Sequence, residues 1–119
     1  MERNWDTVRE LMLNTESLRP NQTVTLKDFD TDEHYNISYH VQLLESAGLV
    51  DATISRALGS QATQFHLRSL TWEGHEFLDS IRVQSTWSKV KAVIREKGGV
   101  MTFDVIKTVA ATLVKSNLA

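Results

Sequence analysis

The sequence contains no cysteine, which removes disulfides, thiolate nucleophiles and Cys-based zinc sites together. It contains one proline, Pro20. That residue lies between Arg19 and Asn21, in a stretch that reads as a linker. No uninterrupted apolar run approaches the ~20 residues of a membrane span. The opening M-E-R-N-W-D-T-V-R-E intersperses charged and apolar groups where an export signal carries an apolar core. A cytoplasmic protein that does not contact membrane is expected. Also missing are a glycine-rich phosphate loop, a nucleophile beside a base, and histidine pairs at metal-ligand spacing. No catalytic residue, metal or cofactor is therefore expected, and the chain is not expected to be an enzyme.

What is present is an ordinary globular composition: 119 residues, 41% hydrophobic and 24% charged. That is enough for a single domain with a real core. The net charge of −2 hides an asymmetry, because seven Lys/Arg face thirteen Asp/Glu over residues 1–83 and six face two over 84–119. This division suggests a first body at 1–83 and a helical pair at 84–119 packed on it within one globular unit.

Periodicity places the elements. Asn4 suits a helix cap, and Trp5, Val8, Leu11 and Met12 follow as a one-sided apolar stripe. T-V-T-L, Thr23 to Leu26, alternates like a short strand. D-F-D-T-D-E then sets four acids within six residues. It lacks the ligand spacing and glycine of a calcium loop and reads as helix-start chemistry, with Asp30 or Thr31 as cap and Asp32 and Glu33 in the first turn. The helix runs toward Gly48 with Ile37, Val41, Leu44 and Ala47 on one side, either as one helix or as a pair broken at Asn36. Val50, Ala52 and Ile54, then Phe65 and Leu67, alternate with polar residues, predicting two strands joined through A-L-G-S-Q-A-T. Stripes through Trp87, Val90 and Ile94, and through Phe103, Ile106, Val109, Ala110, Leu113 and Val114, predict two more helices. Gly98-Gly99 stops the first and Thr102 caps the second.

The stretch T-W-E-G-H-E-F-L-D, Thr71 to Asp79, sets a histidine between two glutamates. Glu73 and His75 are two apart and point in different directions on a helix, and no second histidine stands four residues away. Thr71 as cap and Trp72, Phe77, Leu78 and Ile81 as apolar face make it scaffolding. His34, His40, His66 and His75 are likewise unaccompanied.

The order helix, short strand, helix or helix pair, hairpin, helix is that of a winged helix-turn-helix. The expected fold is thus mainly α with a small β-hairpin (α+β), a winged helix with two appended C-terminal helices. L-L-E-S-A-G-L-V, Leu43 to Val50, resembles a recognition helix running into its wing. The whole chain also resembles a family of small phage and prophage proteins classed as a domain of unknown function. The motifs are R-[ND]-W-D at Arg3 to Asp6, Y-H-x-x-L-L-x-x-A-G-L at Tyr39 to Leu49, L-T-W-E-G-H-E-F-L-D at Leu70 to Asp79, and W-x-K-V-K…K-G-G…F-D-V-I-K from Trp87 to Lys107. The resemblance implies a winged-helix core and a mobile-element setting, and no substrate.

Two functions compete, with a DNA-binding regulator as the first expectation and a protein-interaction module as the alternative. As a DNA-binding regulator, the chain would meet double-stranded DNA through Ser38, Tyr39 and Gln42 on the helix, Arg56 and Arg68 on the hairpin, and Lys91 and Arg95 in the basic tail. Against this, residues 31–47 contain no lysine or arginine, although phosphate contacts dominate affinity. As a protein-interaction module, the chain would bind a host or phage protein, for example as a defence inhibitor, with an acidic surface facing a basic partner. In either case the apolar residues Val105, Ile106, Val109 and Leu113 wrap too widely around the last helix for one buried stripe, and a homodimer through them is expected.

Overall fold

The computed structural model of the chain describes residues 1–55, 59 and 61–118, the side chains of 116–118 excepted. It is a mixed α+β protein with five helices and a two-stranded antiparallel hairpin among those residues. The chain divides into two compact units, Met1–His75 and Glu76–Ala119.

In the first unit α1 spans Trp5–Glu16 and begins as the sequence predicts, with Asn4 Oδ1 accepting the backbone N–H groups of Asp6 (2.9 Å) and Thr7 (3.1 Å). Val8, Leu11 and Met12 are buried, and α1 packs against the hairpin and the second helix. The expected strand at 23–26 reduces to one residue. Val24 and Leu67 exchange reciprocal backbone hydrogen bonds of 2.9 Å. The backbone then turns away into a 3-10 turn at Leu26–Asp28. The cause is local, because the Thr25 N–H, which a strand would offer sideways, goes instead to Asp28 Oδ2 at 2.9 Å. A second 3-10 turn at Thr31–Glu33 leads into α2, His34–Ser46, a single helix that Asn36 does not break. Asp30 stands at the N-cap of that turn with Asp32 and Glu33 in its first turn, as expected, but its side chain makes no cap bond and α2 itself begins after Glu33. Thr25 and Asp28 close the preceding turn instead.

α2 buries Ile37, Val41 and Leu44, while Ala47 is exposed as the C-cap residue. Gly48 follows at φ 74°. Its N–H reaches Glu45 O at 3.1 Å and that of Leu49 reaches Leu44 O at 3.0 Å, the paired closure that a left-handed glycine makes possible.

The hairpin comprises β1, Val50–Ser55, and β2, Gln64–Leu70. Their pairing runs from Val50↔Leu70 to Ser55↔Gln64, with one irregularity: Asp51 faces Ser69 whereas Ala52 faces Leu67. Arg68 is thus the additional residue of a β-bulge. Strict alternation from Phe65 and Leu67 would turn Ser69 inward. The bulge resets the phase, so that Phe65, Leu67 and Leu70 are all buried and Ser69 is exposed. Most of the predicted loop, at 56–58 and 60, lies outside the described residues.

α3, Trp72–Ile81, crosses the division between the units. Within the second unit, α4 spans Gln84–Glu96 and α5 Phe103–Leu118, and the two pack together. Trp87, Val90 and Ile94 are buried on α4, Ile106 and Ala110 on α5. The ring of Phe103 stacks on that of Phe77 with centroids 4.6 Å apart. Gly98, at φ 66°, ends α4 with the same paired closure as Gly48, and Thr102 Oγ1 accepts the Val105 N–H at 3.2 Å at the start of α5.

Candidate functional site

In the stretch that begins α3, the structural contacts are made by Thr71 and Gly74. Thr71 Oγ1 accepts the Gly74 N–H at 3.1 Å and donates its own proton to Gly48 O at 2.6 Å, while Thr71 N–H donates to Leu49 O at 3.1 Å. One residue thereby caps α3 and ties it to the loop that closes α2. A Cβ on Gly74 would lie 2.0 Å from Leu49 O, so the first turn of α3 rests directly on that backbone. His75 and Glu73 are both exposed. Trp72, assigned above to the buried face, is 79% exposed. Its neighbours at one- and three-residue spacing, Glu73 and His75, share that solvent side, and the apolar face narrows to Phe77, Leu78 and Ile81.

His40 is fully buried. Its Nε2 accepts the N–H of Asn4 at 2.8 Å, which leaves the proton on Nδ1 to be donated to Asn36 O at 2.8 Å. The ring is a strut between α2 and the cap of α1. The His34 ring contacts Phe29 O through Nε2 at 3.1 Å. His66 is exposed on β2. Among the described residues no group of three His, Asp or Glu side chains could hold a metal ion. No buried side-chain N or O atom there lacks a hydrogen-bond partner.

Several of the residues expected to meet DNA are engaged within the protein itself. Ser38 is 2% exposed and donates its hydroxyl to Thr63 O at 2.7 Å. It lies on the inner side of α2 because the segment before β2 covers it, a contact across 25 residues. Gln42 is half-buried and turns Nε2 back toward Ser38 O, 3.2 Å. Tyr39 is half-buried, edge-on to the His40 ring. Arg68 is exposed, but its Nε and Nη2 grip the two carboxylate oxygens of Asp51 at 3.1 and 2.9 Å and its Nη1 reaches Thr53 Oγ1. This exchange holds the Asp51 carboxyl below its ordinary range, chiefly through the Arg68 hydrogen bonds, and raises Arg68 in turn. Arg56 lies outside the described residues. In the second unit, Lys91 lies with Nζ 5.4 Å from the Trp87 ring centroid, and Arg95 is exposed.

Of the four residues expected at a dimer contact, Ile106 is 0% exposed within the chain itself. Val109 and Leu113 are half-buried and Val105 is 38% exposed. Asp104, Val105, Thr108 and Val109 border a shallow hollow of about 200 Å³.

Sequence periodicity did not reveal a furrow along α1. Two adjoining hollows of about 540 and 250 Å³ flank the half-buried Phe29 and share Asn14 as their other common wall. Leu18, Gln22, Val24 and Asp28 line the first, and Asp6, Glu10, Glu33, Asn36 and Ile37 the second. Among the described residues no lysine or arginine lines either hollow. The charge follows the units: Met1–His75 carries six Lys/Arg against eleven Asp/Glu, net −5, and Glu76–Ala119 seven against four, net +3. No described helix is long and apolar enough to cross a membrane.

A chain described as "Uncharacterized protein" from Haemophilus influenzae (strain ATCC 51907 / DSM 11121 / KW20 / Rd) is 38% identical over 120 residues, covering the whole of both chains. No solved structure matches. A family model matches residues 2–100. That span contains the R-N-W-D, Y-H-V-Q-L-L-E-S-A-G-L and L-T-W-E-G-H-E-F-L-D motifs, while F-D-V-I-K lies beyond it. By that match the chain belongs to the family described as Hypothetical protein (DUF2513).

Proposed function

We propose that the chain is a non-enzymatic protein-interaction module built on a winged helix, and that it acts by binding another protein rather than by reading duplex DNA. The winged-helix reading of the first unit is supported by the order α1, the Val24 bridge, α2, hairpin and α3, with the hairpin as wing. The observation that carries the functional reading is the state of α2, the helix such a fold would lay in the major groove. It contains no lysine or arginine, Ser38 is buried, and Gln42 is bonded back to its own helix. Asp28, Asp30, Asp32 and Glu33 precede it as an exposed acidic fringe. Phosphates repel that fringe, and binding without phosphate contacts forfeits the term that supplies most of the affinity for DNA. The acidic surface suits a basic protein. A host or phage protein fits the mobile-element setting that the motifs imply.

A second reading has one observation in its favour. Lys89, Arg95 and Lys97 are exposed at α4, in a unit of net +3, so any DNA contact would run through α4 and not through α2. Fluorescence polarisation against duplex genomic fragments at about 50 and 200 mM salt separates the two, because phosphate contacts weaken steeply across that range. We expect no saturable binding at either salt. Salt-dependent binding lost on Lys91→Glu with Arg95→Glu would establish the DNA reading and remove the first.

A further inference from the structure

The furrow along α1 allows the partner's chemistry to be named, on the footing of the protein-partner reading. We infer that it receives a short extended segment carrying arginine side chains, with a guanidinium seated against the Phe29 ring between carboxylates. Phe29 is half-buried and forms the common wall of the two hollows, so its open face is the one aromatic surface shared by both. Asp28 lines the hollow on one side, Asp6, Glu10 and Glu33 the other. Two of these carboxylates are only loosely engaged: Glu10 Oε1 is 3.7 Å from Arg9 Nη1, and Glu33 Oε2 accepts from Asn36 Nδ2 at 3.4 Å. Leu11, Leu18, Val24 and Ile37 supply an apolar floor.

That set selects arginine over lysine. A guanidinium is planar, stacks on aromatic faces and engages carboxylates through a rigid fork, and it sheds water more readily than an ammonium. It also selects a peptide over nucleic acid or an anionic lipid surface, both of which the four carboxylates would repel. The length fits. From Asn4 to Ser17 the wall runs ~20 Å at the helical rise of about 1.5 Å per residue, and about six extended residues cover that distance at ~3.3 Å each. The Asn14 and Asn36 side chains, together with Thr7 and Thr23, stand along it as hydrogen-bonding groups for a bound backbone.

The test uses the full chain, labelled with nitrogen-15, titrated with a capped six-residue peptide bearing two arginines at alternate positions. The same peptide is made with lysine and with uncharged citrulline in their place. We expect amide shift changes confined to residues 4–18 and 22–37, saturating for arginine, about tenfold weaker for lysine and absent for citrulline. Glu10→Gln and Glu33→Gln should each weaken the arginine peptide several-fold, whereas Glu73→Gln, on an exposed turn of α3 away from the lining, should leave it unchanged. Thermal melts of each variant show that the fold is retained. Equal binding of the citrulline peptide, changes outside those residues, or no change at several millimolar arginine peptide would each overturn the assignment. If the arginine peptide fails while duplex DNA also fails to bind, the furrow is excluded and the protein-partner reading stands on another surface.

Discussion

Gly74 shows how one atom's absence fixes an element. In a helix interior glycine costs about 1 kcal/mol relative to alanine, so propensity alone predicts that Gly74→Ala stabilises the protein. The Cβ would lie 2.0 Å from Leu49 O, a backbone atom that cannot swing aside. The contact outweighs the propensity. We expect Gly74→Ala to destabilise the fold by about 3 kcal/mol in denaturant unfolding, and an unchanged or raised midpoint would refute the close packing of α3 on the α2–β1 corner. The same locality explains which residues the sequence makes legible. The caps made by Asn4, Thr71 and Thr102 engage groups within a few residues of themselves, and Gly48 acts through a backbone angle that its chemistry dictates. Ser38 and Trp72 do not: a helical wheel places both plausibly. The burial of Ser38 depends on Thr63, 25 positions away, and the exposure of Trp72 depends on which turn of α3 Gly74 presses against Leu49.

At the scale of elements, the hairpin was legible in its alternation and illegible in its bulge. Nothing in Q-F-H-L-R-S-L announces that Arg68 rather than Ser69 is supernumerary; the inward demand of Leu70, set by its pairing with Val50, decides it. The furrow was illegible for a related reason, because its walls come from α1 and from 22–37, and each wall read separately is an ordinary polar helix face or turn. The clamp of Arg68 on Asp51 joins the two strands and gives the hairpin a pH signature. The folded Asp51 carboxyl lies below its unfolded value of about 3.9, as the Arg68 hydrogen bonds dictate. The pair's contribution is therefore fully present above that unfolded value and is lost as the pH falls through the lower, folded one. Melting temperatures of the parent chain and Asp51→Asn should differ at about pH 7, with the parent higher, and converge in strong acid. A gap that persists undiminished at about pH 2 would show that Asp51 contributes through something other than its charge.

At the scale of the whole molecule, self-association was read from α5, and Ile106 leaves that reading because it is buried within the chain itself. What remains is a narrower outward strip of Val105, 38% exposed, and the half-buried Val109 beside its hollow, while Val114, 49% exposed, stands nine residues on and so about half a turn round the helix. Closure of such a strip on a second copy is the usual remedy for exposed apolar area. We expect light scattering to give a dimeric mass at tens of micromolar, with Val109→Glu raising the dissociation constant by about tenfold or more, which is about 1.4 kcal/mol. A monomeric mass for the parent chain would end the dimer. The bulge, finally, bears on how the length of this chain can change over descent. Loss of a residue inside a regular strand inverts every side chain beyond it. Loss of Ser69 would not, because Arg68 would then face Asp51, to which it is already bonded, and Leu70 would stay opposite Val50 with Phe65 and Leu67 undisturbed. At the bulge the strand can shorten without inverting its core residues, whereas a deletion between Phe65 and Leu67 would drive one of those two core residues into water.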